Sequence, residues 1–333
     1  MWYFDGAGRT LARNAFLALA LLWLAAGPAA AQTYPDRPIT MIVPFPAGGP
    51  TDAVARIVSD GMKSSLGQPI VIANVVGASG SVGVGRAARS AADGYTLSFG
   101  TWSTHVVNGA VMELSYNTLA DFAPVALVSD NPMVLVSNKA LPAKDLRELI
   151  AWLQANPDKA SSGTSGVATP PALAAVFFQQ ATKTRFQLVH YRSVAPAMQD
   201  LLAGRIQLIF DFLADALPQV KAGTITSYAV LSQHRLAAAP DIPTVDEAGL
   251  PGLYLSSWQA IWVPKGTPAD IIATLSHAVR DALSDPGVRQ KLQGIAQEIL
   301  PAEQQTPEVL GDRQAADIAK WWPIIRAANI KVE

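Results

Sequence analysis

The stretch Pro124-Val-Ala-Leu-Val-Ser-Asp-Asn-Pro-Met-Val-Leu-Val136 holds two apolar runs joined by Ser-Asp-Asn-Pro, with no helical segment between them. Two β-rich runs separated by turn residues are typical of a chain that leaves one strand and enters another. A chain that passes from one domain to the next in an extended form has this pattern. Residues 252–263 form a second extended stretch, which we expect to be the return crossing. Two crossings imply two lobes, and the first lobe must then be discontinuous.

Strand-like and helix-like segments alternate on both sides of this stretch. Helices are predicted at residues 52–66, 82–90, 146–153, 171–182, 195–203, 268–283 and 307–328. Strands are predicted, besides the two runs above, at residues 39–43, 70–73, 95–99, 186–189, 206–210, 227–231 and 261–263. This alternation favours parallel sheets built from right-handed β-α-β units. Ligands of such sheets bind outside the carboxyl ends of the strands, so we expect a site in the cleft between the lobes.

The first 31 residues have a different character. Arg9 and Arg13 supply positive charge, residues 16–26 form an apolar run, and Ala29-Ala30-Ala31 is a small-residue cleavage signal. This pattern is typical of a secretory signal peptide, with cleavage between Ala31 and Gln32. A membrane anchor is the alternative, but eleven apolar residues at about 1.5 Å each are too short for a hydrocarbon layer about 30 Å thick. We therefore expect export to the periplasm.

Composition excludes several classes of function. The chain has 333 residues, a formal net charge of −1 and no cysteine. There is no basic field for nucleic acid to follow, and no cysteine for a disulfide, a thiolate nucleophile or an iron–sulfur cluster. The four histidines are scattered without metal-ligand spacing. The sequence therefore predicts no metal, no cofactor and no nucleic-acid partner.

Several loops have the composition of an anion site. Pro44-Phe-Pro-Ala-Gly-Gly-Pro-Thr-Asp52 links the first strand to the first helix, and a helix entrance presents free N–H groups and a positive dipole end. Gly77-Ala-Ser-Gly-Ser-Val-Gly-Val-Gly85 also opens a helix, but its glycines lie too far past the strand for a dinucleotide fingerprint. Residues 100–108 and 161–169 supply hydroxyls, and Pro170-Pro171 follows the second of these loops. By spacing alone, each loop is also compatible with an ordinary turn.

Catalytic interpretations have little support. Gly163-Thr-Ser-Gly-Val167 ends in valine, where a nucleophile elbow needs glycine. A triad of Ser165, His190 and Asp211 is a distant alternative that would make the chain a periplasmic serine hydrolase. We expect no enzyme activity.

The chain resembles the Bug-type receptors of tripartite tricarboxylate transporters from Tyr34 onward. The matching stretches are Tyr34-Pro-Asp-Arg-Pro-Ile39, Pro44-Phe-Pro-Ala-Gly-Gly49 with Asp52, Gly77-Ala-Ser-Gly80, Asp93-Gly-Tyr-Thr-Leu97, Asp200-Leu-Leu-Ala-Gly204, Pro243-Thr-Val-Asp-Glu-Ala-Gly249 and Pro264-Lys-Gly-Thr-Pro268. Their order along some 300 residues makes the resemblance specific. It implies an α/β, two-lobed periplasmic-binding-protein fold (Venus flytrap, type II-like), each lobe a mostly parallel sheet flanked by helices. We expect lobe 1 to comprise residues 32–133 plus 253–333, and lobe 2 to comprise residues 134–252.

The resemblance also implies which residues contact a ligand. In the first lobe these are Phe45, Ala47, Gly48, Gly49, Thr51, Asp52, Thr101, Ser103, Thr104 and His105. In the second lobe they are Thr164, Ser165, Gly166, Val167, Ala168 and Thr169, with Tyr191, Arg192 and Asp211 at the edges of the cleft. In this family the ligand is held largely by loop amides, hydroxyls and waters.

Six positions depart from the family pattern. Val75-Val76 replaces Arg-Pro, Ala168 replaces glycine, Ala172 replaces histidine, and His190 and Ser193 replace the proline and glycine of V-P-Y-R-G. Most of them lie in the second lobe, where the distal end of a ligand should be recognised. The identity of the ligand therefore stays open between mono- and dicarboxylates.

These observations lead to one main functional hypothesis. The chain is expected to be a monomeric periplasmic receptor that captures a small organic acid and delivers it to the permease subunits of a tripartite tricarboxylate transporter. The alternative is a sensing adaptor that presents the same closed form to a sensor protein.

Overall fold

The computed structural model describes residues 34–295 and 297–331. The predicted signal peptide and its cleavage site lie outside the described residues. The chain divides into a leading unit, Met1–Asp36, and a second unit, Arg37–Glu333. Of the leading unit only residues 34–36 are described, and the peptide bond between Tyr34 and Pro35 is cis. The second unit contains both sheets.

Ten strands and ten α-helices build this unit within the described residues. The strands are β1 (Ile39–Val43), β2 (Ile70–Asn74), β3 (Thr96–Thr101), β4 (Phe122–Ser129), β5 (Met133–Asn138), β6 (Ser161–Thr164), β7 (Gln187–His190), β8 (Leu208–Phe212), β9 (Ile225–Val230) and β10 (Gln259–Pro264). The helices are α1 (Pro50–Leu66), α2 (Ser81–Ala88), α3 (Asn108–Val111), α4 (Leu146–Ala155), α5 (Pro170–Thr182), α6 (Val194–Leu202), α7 (Leu213–Lys221), α8 (Ala269–Ser284), α9 (Pro286–Gly294) and α10 (Pro307–Ala327). In this part of the chain, no helix combines the length and the apolar character needed to cross a bilayer.

The strands form two five-stranded sheets with the same plan. The first sheet has the order β2-β1-β3-β10-β4 and the second the order β7-β6-β8-β5-β9. In each sheet the first three strands pair in parallel, and the fourth strand pairs antiparallel with both of its neighbours. Each sheet is therefore mixed, although four of its five strands run in one direction. The two-lobed α/β fold expected from the sequence is confirmed, and the exact lobe boundaries stay a prediction.

The two sheets are linked by a ribbon of two extended segments. Residues 130–132 lead from β4 to β5, and residues 254–258 lead back to β10. Ser257 N–H donates to Asn131 O at 3.0 Å, and Pro132 forms an antiparallel bridge with Ser256. The extended run seen in the sequence is therefore a pair of crossings that support each other.

Apolar helix faces explain why these segments fold as they do. In α1 the side chains of Val54, Val58, Met62 and Leu66, spaced four apart, are all buried. Such spacing places them on one face of a helix, and that face packs against the core. The seven predicted helices are present, with ends shifted by one or two residues. The α3, α7 and α9 helices and the β6 strand were not predicted.

An aromatic group connects the two lobes beside the crossings. Trp321 on α10 contacts Trp102, which follows β3, with ring centroids 5.4 Å apart. It also contacts Phe177 on α5 in the second lobe, at 5.1 Å. Both contacts are edge-to-face, the geometry that aromatic pairs prefer. Trp321 is therefore a packing residue, and it is 2% exposed.

Gly100 on β3 lies where no larger residue fits. A Cβ at this position would lie 2.2 Å from His105 Cε1 and 2.9 Å from Trp262 Cζ3. Both rings are fully buried and cannot move aside. We expect Gly100→Ala to lower the free energy of unfolding by about 2 kcal/mol or more, as overpacked cores do. Urea titration of the purified protein measures this.

Gly311→Ala in α10 is the matched control, since its Cβ would meet only Pro124 Cγ at 3.6 Å. Alanine there should be neutral or stabilising by up to about 1 kcal/mol. Equal stabilities of the two variants would contradict the packing described for β3.

Candidate functional site

Three loops follow the carboxyl ends of β1, β2 and β3 and pack against one another. A Cβ added to Gly80 would lie 2.9 Å from Thr104 Cγ2 and 3.2 Å from Pro44 Cβ, so the loop after β2 touches both of the others. Asn108 Nδ2 donates to Ser79 O at 3.0 Å. The predicted first-lobe residues therefore share one edge of the first sheet, where parallel sheets bind ligands.

Asp52 anchors the loop of residues 44–49. Its Oδ2 accepts hydrogen bonds from Gly48 N–H and Arg56 Nε, both at 2.8 Å, and its Oδ1 accepts one from Asn74 Nδ2 at 2.8 Å. Asn74 also donates to Phe45 O at 3.0 Å. The Asp52 side chain is buried. Its carboxylate holds the loop in place and does not face solvent, and the predicted ligand contact of Asp52 stays a prediction.

The charge of Asp52 changes what the entrance of α1 can offer to a ligand. The pKa of Asp52 is lowered to about 2, chiefly by the hydrogen bond from Arg56 and then by those from Asn74 and Gly48, against the effect of burial. The N-terminus of a helix stabilises negative charge, and at α1 the Asp52 carboxylate already supplies one. Gly48 N–H is used by Asp52, and Gly49 N–H donates to Pro46 O at 3.3 Å.

Two backbone N–H groups at this helix entrance have no acceptor among the described residues. Pro50 has no N–H, and Ala53 N–H donates to Gly49 O at 3.0 Å. For the N–H groups of Thr51 and Asp52 no acceptor is found among the described residues. The side chain of Thr51 is half-buried, and its hydroxyl also lacks a partner there. Thr51 therefore offers both a backbone and a side-chain donor.

The loop after β3 is locked by its own hydroxyls. Thr101 N–H donates to Thr104 Oγ1 at 2.9 Å, and Thr104 N–H donates to Thr101 Oγ1 at 3.3 Å. Asn108 N–H donates to Ser103 O, five residues earlier, which makes residues 103–107 a π-type turn. Both threonines are buried, whereas Ser103 is half-buried and its hydroxyl has no partner in the described part. Ser103 is therefore the free hydroxyl of this loop.

His105 lies in the core, contrary to its predicted place in the site. Its ring is fully buried and stacks on Trp262, with centroids 3.7 Å apart and planes within 6°. Burial lowers the pKa of His105 to about 3, so the ring is neutral. A contact between this imidazole and a ligand would require the ring to leave the stack. Its contribution in this structure is packing.

The loop of residues 164–169 is the corresponding segment in the second lobe. Thr164 Oγ1 lies 2.7 Å from His190 Nδ1, and Thr169 Oγ1 donates to Gly166 O at 2.9 Å. Gly166 has φ +132°, a conformation that favours glycine. Val167 is 46% exposed, and Ser165 is half-buried with no hydroxyl partner among the described residues. Ser165 and Val167 are therefore the side chains of this loop that are open to a ligand.

The entrance of α5 is poorer in amides than the sequence indicated. Pro170 and Pro171 occupy its first two positions and carry no N–H. Leu173 N–H donates to Thr169 O at 3.0 Å, so Ala172 supplies the one unpaired N–H of this helix turn within the described chain. The Ala172 side chain is fully buried. This entrance therefore contributes one backbone donor.

The three residues predicted at the cleft edges have different environments. Tyr191 OH donates to Asp200 Oδ2 at 2.8 Å, and Arg192 is exposed with no ion pair in residues 34–295 and 297–331. Asp211 lies within β8 and is fully buried, and its predicted place at the edge of the cleft stays a prediction. Its Oδ1 accepts Phe212 N–H at 2.8 Å, and for its Oδ2 no partner is found in the described chain. Burial, with a smaller effect of Asp215, raises the pKa of Asp211 to about 8.

The hydrolase alternative requires a hydrogen-bonded chain of Ser165, His190 and Asp211. In the structure His190 pairs with Thr164, and Asp211 pairs with the amide of Phe212. No hydrogen bond joins any two of the three triad residues in the described part of the chain. A nucleophile needs an adjacent base, and Ser165 has none here.

Comparisons with known proteins identify the family. Residues 54–330 match the model of the tripartite tricarboxylate transporter family receptor. The chain belongs to this family. BugT of Bordetella pertussis is 35% identical to it over 312 residues, which cover 92% of this chain and 94% of BugT.

Two solved structures of similar proteins contain a ligand. MatC (Rpa3494) of Rhodopseudomonas palustris, solved with bound malate, is 34% identical, with a TM-score of 0.71 over 88% of this chain and 100% of that one. Rpa4515 of R. palustris, solved with adipate, is 32% identical, with a TM-score of 0.73 over 90% and 99% of the two chains. The recognition of this family from sequence motifs is confirmed.

In this family member a cavity of about 510 Å³ lies beside the two crossings. Its walls include Asp130 and Ser256 from the crossings, and Arg313 and Trp321 from α10. Arg313 Nη2 donates to Asp130 Oδ2 at 2.7 Å and to Ser256 Oγ at 3.2 Å. The predicted ligand residues do not line this cavity. The ion pair between Arg313 and Asp130 stabilises the crossings of the receptor.

Sequence analysis missed the residues that position the loops of this receptor. Asn74, at the end of β2, fixes the loop of residues 44–49 through two hydrogen bonds. Gln314 on α10 donates to His105 O at 3.1 Å and accepts from Trp262 Nε1 at 3.1 Å. His190 was noted as a departure from the family pattern and as a member of the alternative triad, but not as a ligand contact, although its place at the end of a predicted strand was a usable signal.

Asp52 should give the receptor a measurable acid sensitivity. Because its folded-state pKa of about 2 is lower than its ordinary value of 3.8, its stabilisation is present above about pH 4 and is lost as the pH falls toward 2. We expect Asp52→Asn to lower the free energy of unfolding at pH 7 by about 1–2 kcal/mol, since Arg56 is half exposed and solvent screens its charge. Urea titrations at pH 7, 5 and 3.5 measure this.

The difference between wild type and Asp52→Asn should shrink as the pH falls from 5 to 3.5. Asp241→Asn, which removes an exposed carboxylate, is the control and should change little at any pH. A difference that grows on acidification would contradict the network described for Asp52.

Proposed function

We propose that this chain is a periplasmic solute-binding receptor that captures a small organic carboxylate between its two lobes. Membership of the tripartite tricarboxylate transporter receptor family supports this proposal, as do the relatives solved with malate and adipate. Delivery of the ligand to the permease subunits of such a transporter is part of the same proposal. So is export with cleavage between Ala31 and Gln32.

One observation carries the proposal for the position of the site. The candidate loops of both lobes follow the carboxyl ends of strands, and these two sheet edges are joined by residues 130–132. At about 3.4 Å per residue, the distance from Ser129 to Met133 cannot exceed about 14 Å. The edges therefore face each other across a narrow gap at the crossing. A small acid fits such a gap when hinge rotation brings the lobes together.

We assign ligand contact to groups that the protein itself leaves free. In the first lobe these are the N–H and hydroxyl of Thr51 and the hydroxyl of Ser103; in the second they are the hydroxyl of Ser165 and the guanidinium of Arg192. Four further residues fix the shape of the loops through hydrogen bonds within them: Gly48, Asp52, Thr101 and Thr104. Hydrogen bonds to a charged acid contribute about 1.5–3 kcal/mol each. A few such bonds suffice for a micromolar dissociation constant, which corresponds to about −8.2 kcal/mol.

The lobes proposed here comprise residues 32–133 plus 253–333 and residues 134–252. The sheet membership of the strands supports this division. Closure of the lobes would exclude water from the bound acid and strengthen its hydrogen bonds. The closed form would then be the one that a permease recognises.

Isothermal titration of the chain from residue 32 onward tests the function. The panel contains acetate, propionate, hexanoate, malate, succinate, adipate and citrate, with glucose and putrescine as neutral and cationic controls. We expect at least one carboxylate to bind with a micromolar to millimolar dissociation constant. Binding of a control compound without binding of any carboxylate would refute the proposed function.

A charge in the second-lobe loop should oppose an anionic ligand. We expect Val167→Asp to weaken carboxylate binding at least tenfold, because like charges at a binding surface cost affinity. Val71→Asp is the matched control, since Val71 is also exposed, at 54%, but lies inside the edge strand β2 and away from the loops. Titration calorimetry compares the two variants, and equal affinities would place the ligand elsewhere.

A further inference from the structure

An imidazole lies at the end of β7, beside the candidate loop of the second lobe. His190 pairs in register with Thr164 in the parallel ladder between β6 and β7. Thr164 is 1% exposed, and its Oγ1 lies 2.7 Å from His190 Nδ1. His190 itself is exposed. One nitrogen of the ring is therefore fixed to the protein, and the other belongs to the exposed part of the side chain.

Thr164 can pair with this ring in either tautomer. Its hydroxyl carries one proton and has two acceptors in reach, His190 Nδ1 at 2.7 Å and Gly166 O at 3.3 Å. Gly166 O already accepts a hydrogen bond from Thr169 at 2.9 Å, so the Thr164 proton can turn to Nδ1. A carboxylate at Nε2 selects the tautomer that carries its proton there, and Thr164 then donates to Nδ1. In that tautomer His190 is a hydrogen-bond donor at Nε2.

The same pair accommodates a protonated ring. When both nitrogens of His190 carry protons, Nδ1 donates to Thr164 Oγ1, and the threonine hydroxyl turns to Gly166 O. Nε2 donates in both states. Thr164 thus keeps the ring in one orientation whatever its charge.

The surroundings of His190 favour an anionic group. The neighbouring strand β6, Ser161–Thr164, contains no ionisable side chain, and the loop of residues 164–169 contains no acidic one. Arg192 lies two residues away and is exposed. The nearest acidic residue in sequence, Asp200, is bound by Tyr191 OH and by Arg205 at 2.8 Å. The segments that carry His190 and its partner Thr164 therefore contribute no unpaired acidic side chain.

We propose that His190 recognises the distal carboxylate of a dicarboxylate ligand through Nε2–H, and that Thr164 is its positioning residue. This inference rests on the proposed function and narrows the ligand class to dicarboxylates. The resemblance places histidine at position 172 and proline at 190, whereas here Ala172 is buried and the imidazole stands at the end of β7. Position 172 lies in helix α5, whereas His190 lies in the edge strand β7. The distal end of the ligand is therefore recognised by a side chain of β7.

The test compares acids of equal length with one or two carboxylates: adipate against hexanoate and succinate against butyrate. Wild type should bind the diacid at least tenfold more tightly than its partner monoacid. His190→Ala and His190→Asn should lose most of this preference with little change for the monoacid, because asparagine keeps only the acceptor for Thr164. His190→Gln should keep more of it, because its amide nitrogen replaces Nε2.

An independent measurement tests the role of Thr164. Nitrogen-15 spectra of the adipate-bound receptor at pH 8 should show Nε2 of His190 protonated, and Thr164→Val should lower the preference for diacids while Thr164→Ser keeps it. An unprotonated Nε2 in the adipate-bound wild type would overturn the assignment. Circular dichroism melting curves check that each variant is folded.

The outcomes separate this inference from the function on which it rests. If wild type binds monoacids and diacids equally, or if His190→Ala leaves the preference unchanged, the role of His190 is wrong while the receptor function stands. If wild type binds no carboxylate, both fail.

Discussion

The three residues between β4 and β5 impose the constraint on which the candidate site depends. Asp130, Asn131 and Pro132 are too few to let the carboxyl ends of the two sheets separate near the crossing, and the return segment is hydrogen-bonded to them. This ribbon is the link between the lobes, and hinge rotation about it is part of the proposed closure.

The environment of the ribbon shows how such a hinge is kept ordered. Arg313 on α10 binds Asp130 in the first crossing and Ser256 in the second, so one guanidinium holds both segments. Trp321, two turns later, contacts aromatic rings of both lobes. Helix α10 thus lies beside the ribbon and contacts both lobes. The ion pair of Arg313 with Asp130 stabilises the crossings, and the aromatic contacts of Trp321 join the two lobes.

Sequence patterns predicted the parts of the fold in which local periodicity and burial agree. The face of α1 is an example, as is the pair of apolar runs that became β4 and β5. Strand β6 was missed because it consists of Ser-Ser-Gly-Thr, with no apolar residue. Gly163 is needed there, since a Cβ would lie 2.6 Å from Ile206 Cδ1. Its burial comes from neighbours distant in sequence, which no local window contains. Helix α7 was missed because Pro218 within it reads locally as a helix breaker.

The candidate site shows the same limit at the level of single atoms. Loop composition correctly indicated which segments lie at the carboxyl ends of the strands, since strand order along the chain determines that. It did not indicate which donors remain free. Gly48 N–H donates to the Asp52 carboxylate, and the ring of His105 is stacked on Trp262 in the core. Glycine and threonine supply donors, but a donor serves a ligand only when the folded chain has no acceptor for it. In both lobes the acidic and hydroxyl groups that look most suited to binding are used to hold the loops. Recognition is left to the groups that folding does not satisfy, and these can be identified only from the complete set of hydrogen bonds.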